Sequence, residues 1–245
     1  MTVPIANVHQ LKRHIGIPPD TTIDDDRLFA VLQAATTALE GETRRALTPQ
    51  MRAIVHVPLP GQPREIVLRD DLLTLTGMTD AVGDVPFVEL STHPEVGPAS
   101  LVRRADLPFI YGADGVTVTG IWGYHNNPNA MWATTGDSLT AAVTATSTTF
   151  TVTDADAPMS DGQTPRFAVG QLLRVADEFI LVMAVDTVAN SLTVERAVNG
   201  TTAAAHTSGT ALDAYRPPYD ITASVLMLAA WLYRQPDRPA NPAIP

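Results

Sequence analysis

Apolar residues recur at helical spacing near the start of the chain. Val8, Leu11 and Ile15 form one stripe, because positions three and four apart lie on the same side of a helix. Asn7 and the glutamine three positions later match a capping box, and Gly16 ends the pattern. The pattern therefore predicts a short first helix with one buried side.

A second and longer stretch of helical spacing follows three consecutive aspartates at residues 24–26. Carboxylates favour the start of a helix, because they face the positive end of the helix dipole. Arg44 and Arg45 are predicted in the last turn, where cations are favoured. The apolar stripe of this predicted second helix consists of Leu28, Val31, Leu32, Ala35 and Leu39.

The spacing changes to a period of two between residues 50 and 124, which is typical of strands. Residues 52–57 alternate, and further short strands are predicted at residues 64–69, 86–90 and 116–122. Glycine, proline and aspartate separate these segments. Together they predict a small, mainly antiparallel sheet that the two helices cover.

Threonine, alanine and valine dominate residues 134–213, where only three basic side chains occur. The alternation predicts an inserted all-β module that forms a small barrel or a sandwich. Its strands are predicted at residues 148–153, 171–175, 179–185 and 191–196, with turns at residues 176–178 and 188–190.

The chain returns to helical spacing near its end, where 11 of the 13 residues from Ile221 to Tyr233 are apolar. Asp220 is predicted as the N-cap of this helix. A helix that is apolar on nearly every side needs cover on nearly every side. It is therefore predicted either to lie at the centre of its domain or to form part of a subunit interface.

Four prolines recur at every third position after this helix. Polyproline II has three residues per turn, so these prolines line one edge of an extended tail, residues 235–245. This regular spacing favours docking against a partner, whereas proline-rich ends also act as disordered spacers. The candidate partner-binding residues are Trp231, Tyr233, Pro236, Pro239, Pro242 and Pro245.

Composition and charge exclude several classes of protein. The 16 basic and 26 acidic side chains give a net charge of −10, which disfavours binding to free nucleic acid. The absence of cysteine excludes disulfides, a thiolate nucleophile and a cysteine-ligated metal. The longest apolar-dominated stretch has 13 residues, which is too short to cross a bilayer, and no signal peptide is recognisable.

The motifs of common enzymes are missing from the sequence. Six histidines are scattered without a zinc-binding pair, and no hydrolase signature surrounds a serine. Asp154, Asp156 and Asp161 resemble a calcium loop only in part, because Pro158 lies within the loop and no glutamate closes it. The sequence therefore predicts a protein that is not an enzyme and that has no metal or cofactor.

Three segments, residues 5–47, 111–124 and 216–234, carry weak motifs in a characteristic order. In the first segment the matching residues are Leu11, Lys12, Asp24, Asp25, Asp26, Ala34, Ala35, Glu40, Thr43 and Arg44. In the later segments they are Val116, Thr117, Val118, Thr119, Gly123, Tyr124, Pro218, Asp220, Ile221, Ala223, Leu228, Ala229, Ala230, Leu232 and Tyr233. In this order they resemble the head–tail connector (adaptor, or head-completion) family of long-tailed bacteriophages.

The chain departs from the family's pattern at two points. Arg44 stands where the family has a turn glycine, so the exit from the second helix is expected to differ. Residues 134–213 interrupt a chain that is shorter in the family, and they are themselves similar to small β-domains of phage structural proteins.

The resemblance implies an α+β fold in which residues 1–133 and 214–234 form a connector-like domain and residues 134–213 an insert. It also implies a homo-oligomeric ring, usually a dodecamer, between the portal and the next head-completion or tail protein of the virion. Such rings assemble in the host cytoplasm and extend the channel through which DNA leaves. An acidic chain suits this role, because a basic channel would hold the passing DNA.

An alternative function is a surface-binding or carbohydrate-binding β-module of a phage tail. Exposed aromatic rings within residues 134–213 would favour it, because flat amphipathic rings form sugar platforms. The aromatic residues there are Phe150, Phe167 and Phe179. A hydrolase is a third alternative, which a spatial cluster of serine, histidine and aspartate would support.

Overall fold

The computed structural model describes residues 2–112 and 115–235, which contain three α-helices and two antiparallel sheets. This composition confirms the predicted α+β class. The helices are α1 (Val8–Ile15), α2 (Asp25–Thr43) and α3 (Tyr219–Arg234). The first sheet contains β1 (Gln50–His56), β2 (Glu65–Asp80), β3 (Gly83–Asp84), β4 (Leu90–His93), β5 (Ala99–Arg104) and β6 (Val116–Trp122). The second contains β7 (Trp132–Ser138), β8 (Thr149–Thr151), β9 (Leu172–Val175), β10 (Glu178–Asp186), β11 (Ser191–Glu195) and β12 (Ala211–Tyr215).

The chain forms two compact units. The first consists of the described parts of residues 1–43, 132–198 and 202–245, and it holds the three helices and the second sheet. The second consists of the described parts of residues 44–131 and 199–201, and it holds the first sheet. No described helix is both long enough and apolar enough to span a bilayer.

This division corrects the predicted one, which joined the helices to the first sheet and treated residues 134–213 as an insert. The backbone N–H of Val8 donates to the carbonyl oxygen of Val169 at 2.9 Å. Gly170 packs closely against Pro4 and Phe29. A β-carbon at position 170 would lie 3.4 Å from Pro4 Cγ and 3.4 Å from Phe29 Cδ2. The start of α1 and the segment before β9 are therefore packed together, and the helices belong with the second sheet.

The start of α1 agrees with its sequence signals. The side chain of Asn7 accepts from the N–H of Gln10 at 2.9 Å, and the Gln10 side chain accepts from the N–H of Asn7 at 3.0 Å. The predicted capping box is thereby confirmed. Gly16 follows with a φ of 79°, a left-handed conformation that glycine adopts without strain.

The boundaries of the other two helices differ from the predictions. Arg44 and Arg45 do not lie in the last turn of α2, because the helix ends at Thr43 and Arg44 turns the chain with a φ of 53°. A left-handed residue cannot continue a right-handed helix. In α3 the N-cap residue is Pro218, and Asp220 lies within the first turn instead of capping it.

The first sheet has the strand order β1-β6-β2-β5-β4, and β3 pairs with β2. The strands predicted at residues 52–57 and 116–122 are confirmed as β1 and β6. The strand predicted at residues 64–69 runs on to Asp80, past a register shift that accommodates two aspartates. Residues 87–89, part of a predicted strand, form a short 3-10 helix instead.

The second sheet has the strand order β7-β12-β9-β10-β11-β8. The four strands predicted from the sequence correspond to β8, β9, β10 and β11, whereas β7 and β12 were missed. The sheet is not a closed barrel, although one isolated bridge joins Leu139 and Val152 beyond the ends of β7 and β8. Its core includes Phe150, Leu173 and Ile180, all fully buried.

Candidate functional site

Helix α3 has a buried side and an exposed apolar side. Val225, Ala229 and Ala230 are buried, and the helix packs against α1 and α2. Met227 and Trp231, which lie one helical turn apart, are 59% and 50% exposed. The predicted need for cover is thus met on one side of the helix by its own unit, and among the described residues the stripe of Met227 and Trp231 remains exposed.

Tyr233 has a different environment from Trp231, although the sequence placed both in one partner-binding set. Its hydroxyl donates to Asp24 Oδ2 at 2.8 Å, and the guanidinium of Arg27 lies 4.4 Å from the ring centroid. Arg27 Nη2 also donates to the carbonyl oxygen of Tyr233 at 2.7 Å. Tyr233 therefore fastens the end of α3 to the start of α2. The four tail prolines lie outside the described residues.

Replacing Tyr233 with phenylalanine is expected to lower the free energy of unfolding by about 1 kcal/mol, because the hydrogen bond to Asp24 is lost while the ring remains. Urea unfolding followed by circular dichroism at helical wavelengths measures the change. Tyr219→Phe is the matched control, since Tyr219 is 87% exposed and is expected to change stability little. Equal effects of the two substitutions would contradict this role of the hydroxyl.

A cavity of about 260 Å³ lies within the first unit at the start of α3. Its apolar lining includes Pro4, Met159 and Pro217, and the exposed ring of Tyr219 stands at its edge. The polar lining includes four primary amides and one arginine, Asn7, Gln10, Gln163, Gln171 and Arg216. The sequence did not reveal this site, because its residues are spread from Pro4 to Thr222 and form no ligand-binding motif.

Three of the amide side chains have a fixed orientation. The side-chain oxygens of Asn7 and Gln10 each accept a backbone N–H of the capping box, and Gln171 Oε1 accepts from the N–H of Ala168 at 3.0 Å. The three NH₂ groups make no hydrogen bond to any described residue. Because an amide has two donors in its NH₂ group, the cavity can offer hydrogen bonds to a ligand rich in carbonyl oxygens.

A buried charged cluster of the first unit, centred on Glu178, is held by partners within that unit. Glu178 is buried and accepts from Arg196 Nε and Nη2, both at 2.6 Å, and it contacts His206 Nε2 at 2.8 Å. The backbone N–H groups of Ala197 and Ala204 also donate to it. Burial by itself raises the pKa of this carboxyl, but the hydrogen bonds from Arg196 and His206 outweigh it and hold the pKa of Glu178 at about 2. The cluster fixes the segment between β11 and β12.

The acidic loop that resembles a calcium site also has structural partners. Asp154 Oδ1 accepts from the N–H of Ala157 at 3.2 Å and closes a turn. Asp161 pairs with Arg216, and the nearby Asp137 pairs with Arg166. Within residues 2–112 and 115–235, no group of three or more histidine, aspartate or glutamate side chains is placed to hold a metal ion.

The second unit contains a cavity of about 430 Å³ beside Arg104. Arg104 Nε donates to Glu89 at 2.8 Å, and its Nη1 lies 3.3 Å from Asp80. The guanidinium is therefore matched by two carboxylates of its own unit. Val82, Leu107 and Ile110 form the exposed apolar edge of this cavity.

Comparison of the chain with protein-family models, with curated proteins and with solved structures returned no match. Two features of the described residues are open to a partner or a ligand, the exposed stripe on α3 and the amide-lined cavity at its start.

Proposed function

We propose that the protein is a structural component of a phage virion, a connector-like ring at the head–tail junction that joins the portal to the next completion or tail protein. The observation that carries this proposal is the exposed stripe of Met227 and Trp231 on a helix whose other side is buried. Large apolar side chains next to each other on a surface mark a protein–protein interface. The net charge of −10 supports a channel through which DNA passes without being held.

The alternative of a carbohydrate-binding β-module has less support. Phe150, Phe167 and Phe179 are all buried in the core of the first unit, so they are not surface platforms. Tyr219 is exposed beside the amide-lined cavity, but it belongs to α3 and not to the β-strands.

Replacing Met227 and Trp231 together with serine is expected to abolish ring formation and leave the single chain folded. Both side chains are at least half exposed, so their loss removes interface contacts and little of the core. Negative-stain microscopy and sedimentation velocity of the purified protein measure assembly, and mixing with tailless DNA-filled heads measures tail joining. The control is Val188→Ser, because Val188 is 95% exposed in a turn remote from α3 in sequence.

Two outcomes distinguish the role of the stripe as a subunit interface from the proposed function of the protein. Rings that persist in the Met227 and Trp231 variant would show that the stripe is not the subunit interface. A natural chain that stays monomeric at every concentration and neither binds heads nor restores tail joining would overturn the proposed function itself.

A further inference from the structure

The amide-lined cavity at the start of α3 offers donors to a ligand. The NH₂ groups of Asn7, Gln10 and Gln171 are free of other described partners, while their oxygens are already used by backbone N–H groups. A ligand with many carbonyl oxygens and few N–H groups suits this lining, because it accepts hydrogen bonds without needing acceptors in return.

A proline-rich segment has this chemistry. Proline has no backbone N–H, and in polyproline II the carbonyl groups are not used within the helix. Proline rings also pack against aromatic side chains in grooves that recognise such segments. Tyr219, which is 87% exposed at the edge of the cavity, supplies an aromatic ring, and Pro217 lies beside it in the lining.

This chain contains such a segment in residues 236–245, with prolines at every third position. The only charged side chains of this segment, Asp237 and Arg238, are adjacent and cancel, and Asp161 near the cavity is already paired with Arg216 of the lining. The match between the tail and the cavity therefore rests on the amide donors and the proline spacing and not on charge.

The length of the tail determines whether it can bind the cavity of its own chain or that of another copy. The tail begins after Gln235, at the opposite end of α3 from Tyr219, and the 16-residue helix is about 24 Å long. Ten residues of polyproline II extend over about 31 Å. A tail that turned back along its own helix would use about eight residues to reach Tyr219, which leaves only Ile244 and Pro245, and so a single proline, beside that ring.

We infer that the cavity lined by Asn7, Gln10, Gln171 and Tyr219 binds the proline-rich tail, residues 236–245, of a second copy of the chain. Each copy then gives its tail to one neighbour and receives the tail of another, a head-to-tail arrangement that can close into a ring. The inference deepens the proposed function, since it takes the neighbours in the ring to be copies of this chain.

A disulfide trap tests this contact in the full-length protein, which has no natural cysteine. One protein carries Gln163→Cys at the exposed edge of the cavity, and a second carries Asn241→Cys in the tail. After mixing and mild oxidation, we expect a mixed disulfide dimer, identified by mass spectrometry, at about tenfold the yield obtained when Val188→Cys replaces Gln163→Cys. Val188 is 95% exposed, so it reports random collisions.

Two further substitutions test the chemistry of the contact. Tyr219→Ala in the cavity protein, or Pro239→Ala with Pro242→Ala in the tail protein, is expected to reduce the mixed dimer to the collision level. The matched control is Tyr111→Ala, which removes an exposed tyrosine of the second unit and is expected to leave the yield unchanged. Circular dichroism verifies that each variant is folded.

Three outcomes would overturn the inference. They are no mixed dimer above the collision level, a mixed dimer that Tyr219→Ala does not reduce, and an intrachain disulfide in a protein that carries both Gln163→Cys and Asn241→Cys. The trap uses no phage component, so its failure leaves the head–tail proposal to be judged by assembly and tail joining. Conversely, a trapped dimer with no activity in tail joining would separate tail exchange from the proposed function.

Discussion

Replacing Glu178 with glutamine is expected to lower the free energy of unfolding of the first unit by about 3–5 kcal/mol. The substitution keeps the shape of the side chain but removes its charge, and Arg196 is then left buried without a carboxylate. The guanidinium also donates to the carbonyl oxygens of Thr144, Ser147 and Ala204, so the loss affects several loops at once. Urea unfolding followed by circular dichroism measures the change.

The matched control is Asp213→Asn, which removes the carboxylate of a more exposed ion pair with Arg174. We expect this substitution to cost about 1 kcal/mol or less, because solvent screens the charges. If both substitutions had the same effect, burial of the Glu178 pair would not be the source of its contribution.

The contribution of Glu178 is expected to depend on pH in one direction. The pKa of its carboxyl is lowered from 4.5 to about 2 in the folded chain, so the folded state binds the proton less readily than the unfolded state. This part of the stability is present above pH 4.5 and is lost as the pH falls toward about 2. The difference in unfolding free energy between the natural chain and Glu178→Gln is therefore expected to shrink over this range. A constant difference would contradict the lowered pKa.

Replacing Gly120 with alanine is expected to destabilise the second unit by about 3 kcal/mol. Gly120 lies in the middle of β6, between β1 and β2, where a β-carbon would meet the carbonyl oxygen of Thr74 and come within 2.7 Å of Leu72 Cδ1. The carbonyl belongs to a paired strand and cannot move without loss of hydrogen bonds. Urea unfolding followed by tryptophan fluorescence, which includes the signal of the buried Trp122, measures the effect.

Gly77→Ala is the control for this substitution. Gly77 lies in the paired strand β2, and a β-carbon there would meet Thr119 Cβ at 3.6 Å, an ordinary contact distance. Alanine at this position is expected to be neutral or slightly stabilising, because it restricts the unfolded chain. Equal losses at both glycines would show that backbone freedom matters more than the close approach at Gly120.

Several elements of this protein follow from short stretches of sequence. The capping box of Asn7 and Gln10 and the glycine at position 16 set both ends of α1, and alternation located β1, β6 and four strands of the second sheet. These features are decided by residues within a few positions of each other. A cap or a strand period depends on local geometry, which the sequence expresses directly.

Other strands were predicted with the wrong end or were missed, because packing between distant residues determines where they form. The two aspartates after residue 69 indicate the end of a strand, yet β2 continues past them, and a register shift together with pairs to Arg45 and Arg52 accommodates their charges. β7 and β12 contain few large apolar residues, so their alternation is weak. They are strands because their partners in the sheet use their backbone groups.

The candidate sites show the same division. The sequence by itself determined that α3 is unusually apolar and that a periodic proline tail follows it. Only the tertiary structure decided that Tyr233 contacts Asp24 while Trp231 stays half exposed, that the helices pack with the second sheet, and that Gln10, Gln171 and Tyr219 line one cavity. Periodicity shows that one side of an element is buried, but the surface that covers it depends on contacts between distant residues, which no local pattern specifies.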